Sequence, residues 1–156
     1  MVSPPASGLS LKARALKYLA AREHSRAELE RKLAPHAESA EALAGVLDEF
    51  ERRGWLSAER FVASVVHRKA ARYGAARIRV KLAQHRLPED AVHDALSALK
   101  ETELSRAHAV WLRRFGAVGD TPEARLKQMR FLAGRGFALE VIRQIVDGRI
   151  SDDVDR

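Results

Sequence analysis

Ser25-Arg26-Ala27-Glu28-Leu29-Glu30-Arg31-Lys32-Leu33 holds a helix start and a helical stripe within one short stretch. A serine followed three residues later by a glutamate is a capping box. The hydroxyl accepts a backbone N–H that the first turn leaves unpaired, and the carboxylate reaches back to the N–H of the cap residue. Leu29 and Leu33 then fall one turn apart on one face. Pro35 ends this helix and Ser39 opens the next, where Leu43, Val46, Leu47 and Phe50 recur at i, i+3, i+4 and i+7 before Gly54 closes it. Upstream, Leu11, Ala15, Tyr18 and Leu19 make an earlier stripe. Three helices are complete by Leu56.

The same grammar continues downstream. Ser57 caps a helix bearing Phe61, Val62, Val65, Val66 and Tyr73, with Gly74 at its end. A short helix carries Ala75, Ile78 and Leu82. Pro88 opens another with Val92, Leu96 and Leu99. Leu104, Ala107, Trp111 and Phe115 form the next stripe, and Thr121-Pro122-Glu123 starts one bearing Leu126, Met129 and Ala133, ended by Gly134 and Gly136. Ala138, Val141, Ile142 and Ile145 make the ninth helix. Strand-type alternation is sustained nowhere, so the spacing predicts an all-α chain.

Registers repeat along the chain. Ser25, Leu29 and Leu33 map onto Gly74, Ile78 and Leu82 at an offset of 49, and Leu82, Leu87, Val92 and Leu96 onto Leu132, Phe137, Ile142 and Val146 at an offset of 50. Tandem three-helix repeats follow: 11–56, 57–101 and 102–147, with flexible ends at 1–10 and 148–156. The shared positions are hydrophobic or caps, so the repeat says nothing about chemistry.

Composition narrows the function. Among 156 residues, 28 Lys and Arg outnumber 21 Asp and Glu, for a net charge of +7, with 46% hydrophobic residues and no cysteine. This is a foldable chain with a polyanionic or acidic partner, and disulfides, thiol nucleophiles and Cys-based metal sites are excluded. Val2–Leu11, free of charged side chains, is too short and too broken by proline and glycine to span a bilayer, and it has no signal-peptide pattern. A cytoplasmic location is expected.

The most informative segment is Arg60–Leu87. It holds eight Lys or Arg residues, Arg60, Arg68, Lys69, Arg72, Arg77, Arg79, Lys81 and Arg86, and no Asp or Glu. Arg68/Arg72 and Arg77/Lys81 are i, i+4 pairs, which predicts basic ridges opposite the apolar stripes. From Arg68 onward these residues are the candidate anion-binding face. Arg125, Lys127, Arg130 and Arg135 make a shorter, secondary candidate. The competing reading of both is a solvated helix surface.

No catalytic constellation emerges, and no cofactor or metal site is expected. The six histidines include no i, i+3 or i+4 pair and no HExxH, so they read as surface or cap residues. Acidic clusters such as Asp48/Glu49/Glu51 and Glu89/Asp90 fall at exposed helix positions and first turns. Gly134-Arg135-Gly136-Phe137 lacks the Lys-Ser/Thr of a phosphate loop and reads as a helix end. Trp55, Trp111, Phe61, Phe115, Phe131 and Phe137 read as packing anchors.

Three segments in order carry a family resemblance: Ala15-Leu16-Lys17-Tyr18-Leu19-Ala20-Ala21-Arg22-Glu23-His24 running into the capping-box stretch; Glu59-Arg60-Phe61-Val62 with Tyr73-Gly74-Ala75-Ala76-Arg77-Ile78; and Arg130-Phe131-Leu132-Ala133-Gly134-Arg135-Gly136-Phe137. Together they resemble the RecX family, bacterial modulators of the RecA recombinase, over about Ala13 to Val146. Ser57 stands where that family often has Asp, and Val62 where Ala is common. The resemblance implies three tandem three-helix units in a curved, elongated array. It also implies a non-enzymatic regulator that docks in the groove of the RecA–single-stranded-DNA filament. Such a regulator restrains filament growth, ATP hydrolysis, strand exchange and co-protease activity in DNA repair and recombination, including the SOS response. The expected partners are RecA and the single-stranded DNA within its filament, with free DNA bound weakly by a monomer. A helical DNA-binding transcriptional regulator is the alternative class. Against it, the chain has no Asn, and no helix carries the Arg, Asn and Gln mix that base-edge contacts favour.

Overall fold

The computed structural model describes residues 8–148, which form eight α-helices and one 3-10 turn, with no strand among them. In order these are α1 (Leu11–Ala21), α2 (Arg26–Leu33), α3 (Ala40–Arg52), α4 (Ala58–Lys69), α5 (Ala75–Ala83), α6 (Glu89–Arg114), α7 (Pro122–Gly134) and α8 (Leu139–Val146). Apart from residues 8–10 and 148, the expected flexible ends lie outside the described residues. None of the described helices is long and apolar enough to cross a membrane.

Caps set most of the boundaries. The side-chain oxygens of Ser10, Ser25, Ser39, Ser57 and Thr121 each accept the backbone N–H three residues on, at 3.0–3.2 Å. Glu28 completes the capping box by accepting from the Ser25 N–H. Pro35 lies in the 3-10 turn Ala34–His36 that ends α2. Three helices lack this device: α5 follows Gly74, α6 follows Pro88 and α8 follows Ala138, none of which offers a side-chain acceptor.

The chain divides into two compact units. The first holds the described residues up to Phe61 together with His85–Leu87. There α1, α2 and α3 pack mutually around Ala15, Leu29, Leu33, Leu43, Leu47, Phe50 and Leu56. His85 is seated on Ser25, and its neighbour Arg86 takes a left-handed φ of +49° while pairing with Glu30 at 2.7 Å. The second unit holds Val62–Gln84 and the described residues from Pro88 on. In it α6 packs on α5, α7 and α8, and Ala107, Val110, Trp111, Leu132, Phe137, Ile142, Ile145 and Val146 form a core. Buried Gln128 accepts from the Trp111 indole N–H at 3.1 Å and donates to the Ala117 carbonyl at 2.9 Å, so this polar pair is satisfied.

One expectation is corrected. The helices anticipated around Val92–Leu99 and Leu104–Phe115 are a single 26-residue helix, α6, which runs unbroken through the expected boundary at 101/102. Lys100, Glu101 and Thr102 interrupt the apolar stripe without ending the helix. No glycine or proline occurs between Glu89 and Phe115, and nothing else in that stretch stops the ladder.

Candidate functional site

The site is built on the turn between α4 and α5. Arg72 is not on α4, as its i, i+4 spacing to Arg68 suggested. α4 ends at Lys69, and residues 70–73 curl over so that the Arg72 and Tyr73 N–H groups both return to the Lys69 carbonyl. Two charged side chains of α6, one turn apart, hold the turn in place. The Arg106 guanidinium donates to the carbonyls of Ala70 and Tyr73, both at 2.8 Å, and to that of Leu99 at 2.9 Å. Glu103, 4% exposed, accepts from the Ala75 N–H at 2.7 Å and from the Ala138 N–H at 3.3 Å. A carboxylate thus sits at the positive ends of α5 and α8 and a guanidinium near the negative end of α4, each opposing the local helix dipole. Burial pulls the Arg106 pKa down, and the Glu103 charge opposes that shift.

The backbone at this point is tightly apposed. The Gly74 N–H donates to the Arg135 carbonyl at 2.8 Å. A Cβ on Gly74 would lie 2.3 Å from the Gly136 carbonyl oxygen, and one on Gly136, whose φ is +85°, would meet the Cβ of Arg77 at 2.5 Å. Only glycine fits either place. The α4–α5 turn and the end of α7 are therefore locked together, and Arg77 adds a hydrogen bond to the Gly134 carbonyl at 2.9 Å.

This locking gathers the basic side chains around one ring. Arg77 lies 4.4 Å from the Tyr73 centroid, Arg135 5.5 Å, and Lys69 and Arg72 each 5.6 Å. Arg135 also lies over Phe131 at 5.1 Å, and Arg114 over Phe131 at 5.8 Å and Phe115 at 5.6 Å. A cavity of about 250 Å³ opens beside Tyr73, and Lys69, Arg77 and Lys81 are among its lining residues.

The sequence candidates distribute unevenly over this geometry. Lys69, Arg72, Arg77 and Lys81 come together, and Arg135 joins them from the secondary stretch. Arg68 is exposed, with its Nε 3.3 Å from the Ser64 carbonyl. Arg79 is exposed two residues from both Arg77 and Lys81, hence on another side of α5. Arg125 is tied to the Gly119 carbonyl at 3.1 Å, while Lys127 and Arg130 are exposed on α7. Arg86 belongs to the first unit, and its charge is met by Glu30.

Charge pairing separates the units. In the first, Lys12 pairs with Glu49, Arg22 with Glu28, Arg26 with Asp48 and Glu51, Arg53 with Glu49, and Arg60 with Glu23. In the second, Lys69, Arg72, Arg77, Arg79, Lys81 and Arg135 form no ion pair with any described residue. Tyr73, Arg106, Glu103 and Arg114 were missed as site residues by reading the sequence. One signal was available: Glu103 stands in the buried stripe of α6, one turn from Leu99 and one from Ala107.

A second polar cluster lies in the first unit. The Ser25 hydroxyl is 2.7 Å from Nδ1 of His85, which is 3.8 Å from Glu28. The set has the residue types of a nucleophile, base and acid. However, Ser25 is 1% exposed and its Oγ is committed to capping α2. Its role is to fasten the 85–87 loop within the unit.

Comparison with known proteins agrees with the fold. Family models described as the first and the third three-helix domain of RecX match residues 12–50 and 101–146. A regulatory protein RecX of Leptothrix cholodnii is 55% identical, over 92% of this chain and 90% of its own. One of Ralstonia nicotianae is 50% identical, over 97% of this chain and 96% of its own. The crystal structure of RecX from Lactobacillus salivarius superposes with a TM-score of 0.77 at 17% identity, covering 88% of this chain and 93% of that one. At that identity the superposition speaks to fold alone.

Proposed function

Because this chain belongs to the RecX family of regulatory proteins, we propose that it binds the RecA–single-stranded-DNA filament and restrains its growth, ATP hydrolysis, strand exchange and co-protease activity. On this reading the protein acts in the cytoplasm as a monomer, by occupancy and not by catalysis, and needs no cofactor. The observation that carries the site is the set of cations without ion pairs around Tyr73, namely Lys69, Arg72, Arg77 and Arg135, with Lys81 beside them. Arg68 and Arg79 extend the same charge. A nucleoprotein filament offers phosphates and carboxylates together, and cations with no internal carboxylate exchange only water and counterions for them.

The test is charge reversal at Arg68, Arg72, Arg77 and Lys81 in one chain. Helicity should persist, since surface changes of this kind cost about 0.5 kcal/mol or less each. Arg77 will cost somewhat more through its bond to Gly134. Inhibition of RecA ATPase should weaken strongly, and the gap from wild type should narrow as salt rises. A folded variant that inhibits as well as wild type would assign these side chains to solvent.

A further inference from the structure

Resting on that reading, and naming the ligand of one part of the face, we propose that the cavity beside Tyr73 is a base-stacking subsite for one nucleotide of a single strand. The surrounding cations hold the flanking phosphates. The cavity measures about 250 Å³. That is below the ~300–1,000 Å³ of a typical small-molecule pocket and is room enough for one planar base. Its lining combines Tyr73, buried Ile78 and exposed Val80 with Gln84 and the cations Lys69, Arg77 and Lys81. Arg72 and Arg135 complete the ring around Tyr73.

The pattern selects the ligand. Four cations around one aromatic ring, with Lys81 beside them, suit a polymer that carries an anion on every unit and a planar group between anions. An acidic peptide brings carboxylates but no regular planar group. A duplex keeps its bases stacked inside, so only a single strand can offer one. The N-terminus of α5 is not the anion site, because its Ala75 N–H is already bonded to Glu103. Lys69, Arg72 and Arg135 touch the ring without an ion pair, so moving onto a phosphate breaks no carboxylate contact.

The experiment uses the full chain without RecA. Binding is measured by fluorescence anisotropy at low salt. The probes are labelled oligothymidylate of about 12 nucleotides, an abasic deoxyribose-phosphate strand of equal length, the matching duplex and poly-glutamate of equal charge. Wild type should prefer thymidylate to the abasic strand by about tenfold or more. Tyr73→Leu should erase that preference, and Tyr73→Phe should keep it. Equal wild-type affinity for thymidylate and the abasic strand overturns the proposal, as does a preference that survives in Tyr73→Leu. Tighter binding of poly-glutamate than of thymidylate also overturns it, assigning the cluster to an acidic protein surface. The wild-type comparison decides the matter even if Tyr73→Leu does not fold. With RecA absent, failure here leaves the ATPase result with the charge-reversed chain standing separately.

Discussion

His24 shows what a single position can hide. Its ring is 2% exposed, although its place before the capping box reads as surface or cap. Lys32 Nζ, which can only donate, lies 2.9 Å from Nε2, so that nitrogen is the acceptor and the ring proton is on Nδ1, donating to the Arg22 carbonyl at 3.0 Å. The ring is neutral, and burial lowers its pKa. Beside it, Glu28 is penalised by burial, yet the Arg22 hydrogen bonds and the Ser25 N–H outweigh that and bring its pKa down to about 2. A depressed carboxylate stabilises the fold above its unfolded pKa, 4.5 here, and the contribution is lost as pH falls toward 2. With Arg22 partly in solvent, the contribution is about 2 kcal/mol. The urea midpoint of wild type should therefore drop between pH 5 and about 2.5 by more than that of Glu28→Gln. Parallel curves would refute the assignment. The capping box itself was plain in the sequence, because Ser25 and Glu28 are three residues apart. The bond from Ser25 to His85 spans 60 residues, and no local pattern encodes it.

At the scale of elements, helix starts were legible wherever the cap is a Ser or Thr on the same segment, as at Ser39 and Thr121. They were not legible where the cap comes from elsewhere. Glu103 caps both α5 and α8 from α6, and a local reading sees only an acid in an apolar stripe. Replacing it tests that role. Glu103→Ala leaves two N–H groups short of an acceptor in a buried setting, at about 1–3 kcal/mol each. Glu103→Gln keeps an acceptor oxygen but loses the charge at two helix N-termini, so it should cost less than Ala. Thermal melts should rank wild type, Gln and Ala in that order of stability. An Ala variant that melts with wild type would mean that water replaces the carboxylate at no cost. The same logic explains why α6 was read as two helices. Its buried stripe runs through Leu96, Leu99, Glu103, Ala107 and Val110 on one face, so a charged side chain stands at its middle while the backbone continues.

For the molecule as a whole, the 49- and 50-residue registers were legible because they mark buried positions: Leu82, Leu96, Leu132, Phe137, Ile142 and Val146 are all buried. What the registers do not record is where units can be cut. A modular array tolerates loss of an end unit, since each repeat contacts only its neighbours. Here a chain ending at Leu99 keeps α4 and α5 but loses Glu103 and Arg106, the side chains that close the α5 start and the turn bearing Tyr73. A chain ending at Arg106 keeps both and lacks the same α7 and α8. The two shortened chains differ by seven residues and should differ far more than seven residues of helix would explain. The longer one should unfold cooperatively in urea, and the shorter should lose the α5 signal and unfold at a lower midpoint. Both expose apolar surface that α7 and α8 covered, so sedimentation must first show monomers. Identical midpoints in monomeric samples would mean that the units are separable at the expected 101/102 boundary, and that the α6 charges are incidental to the basic turn.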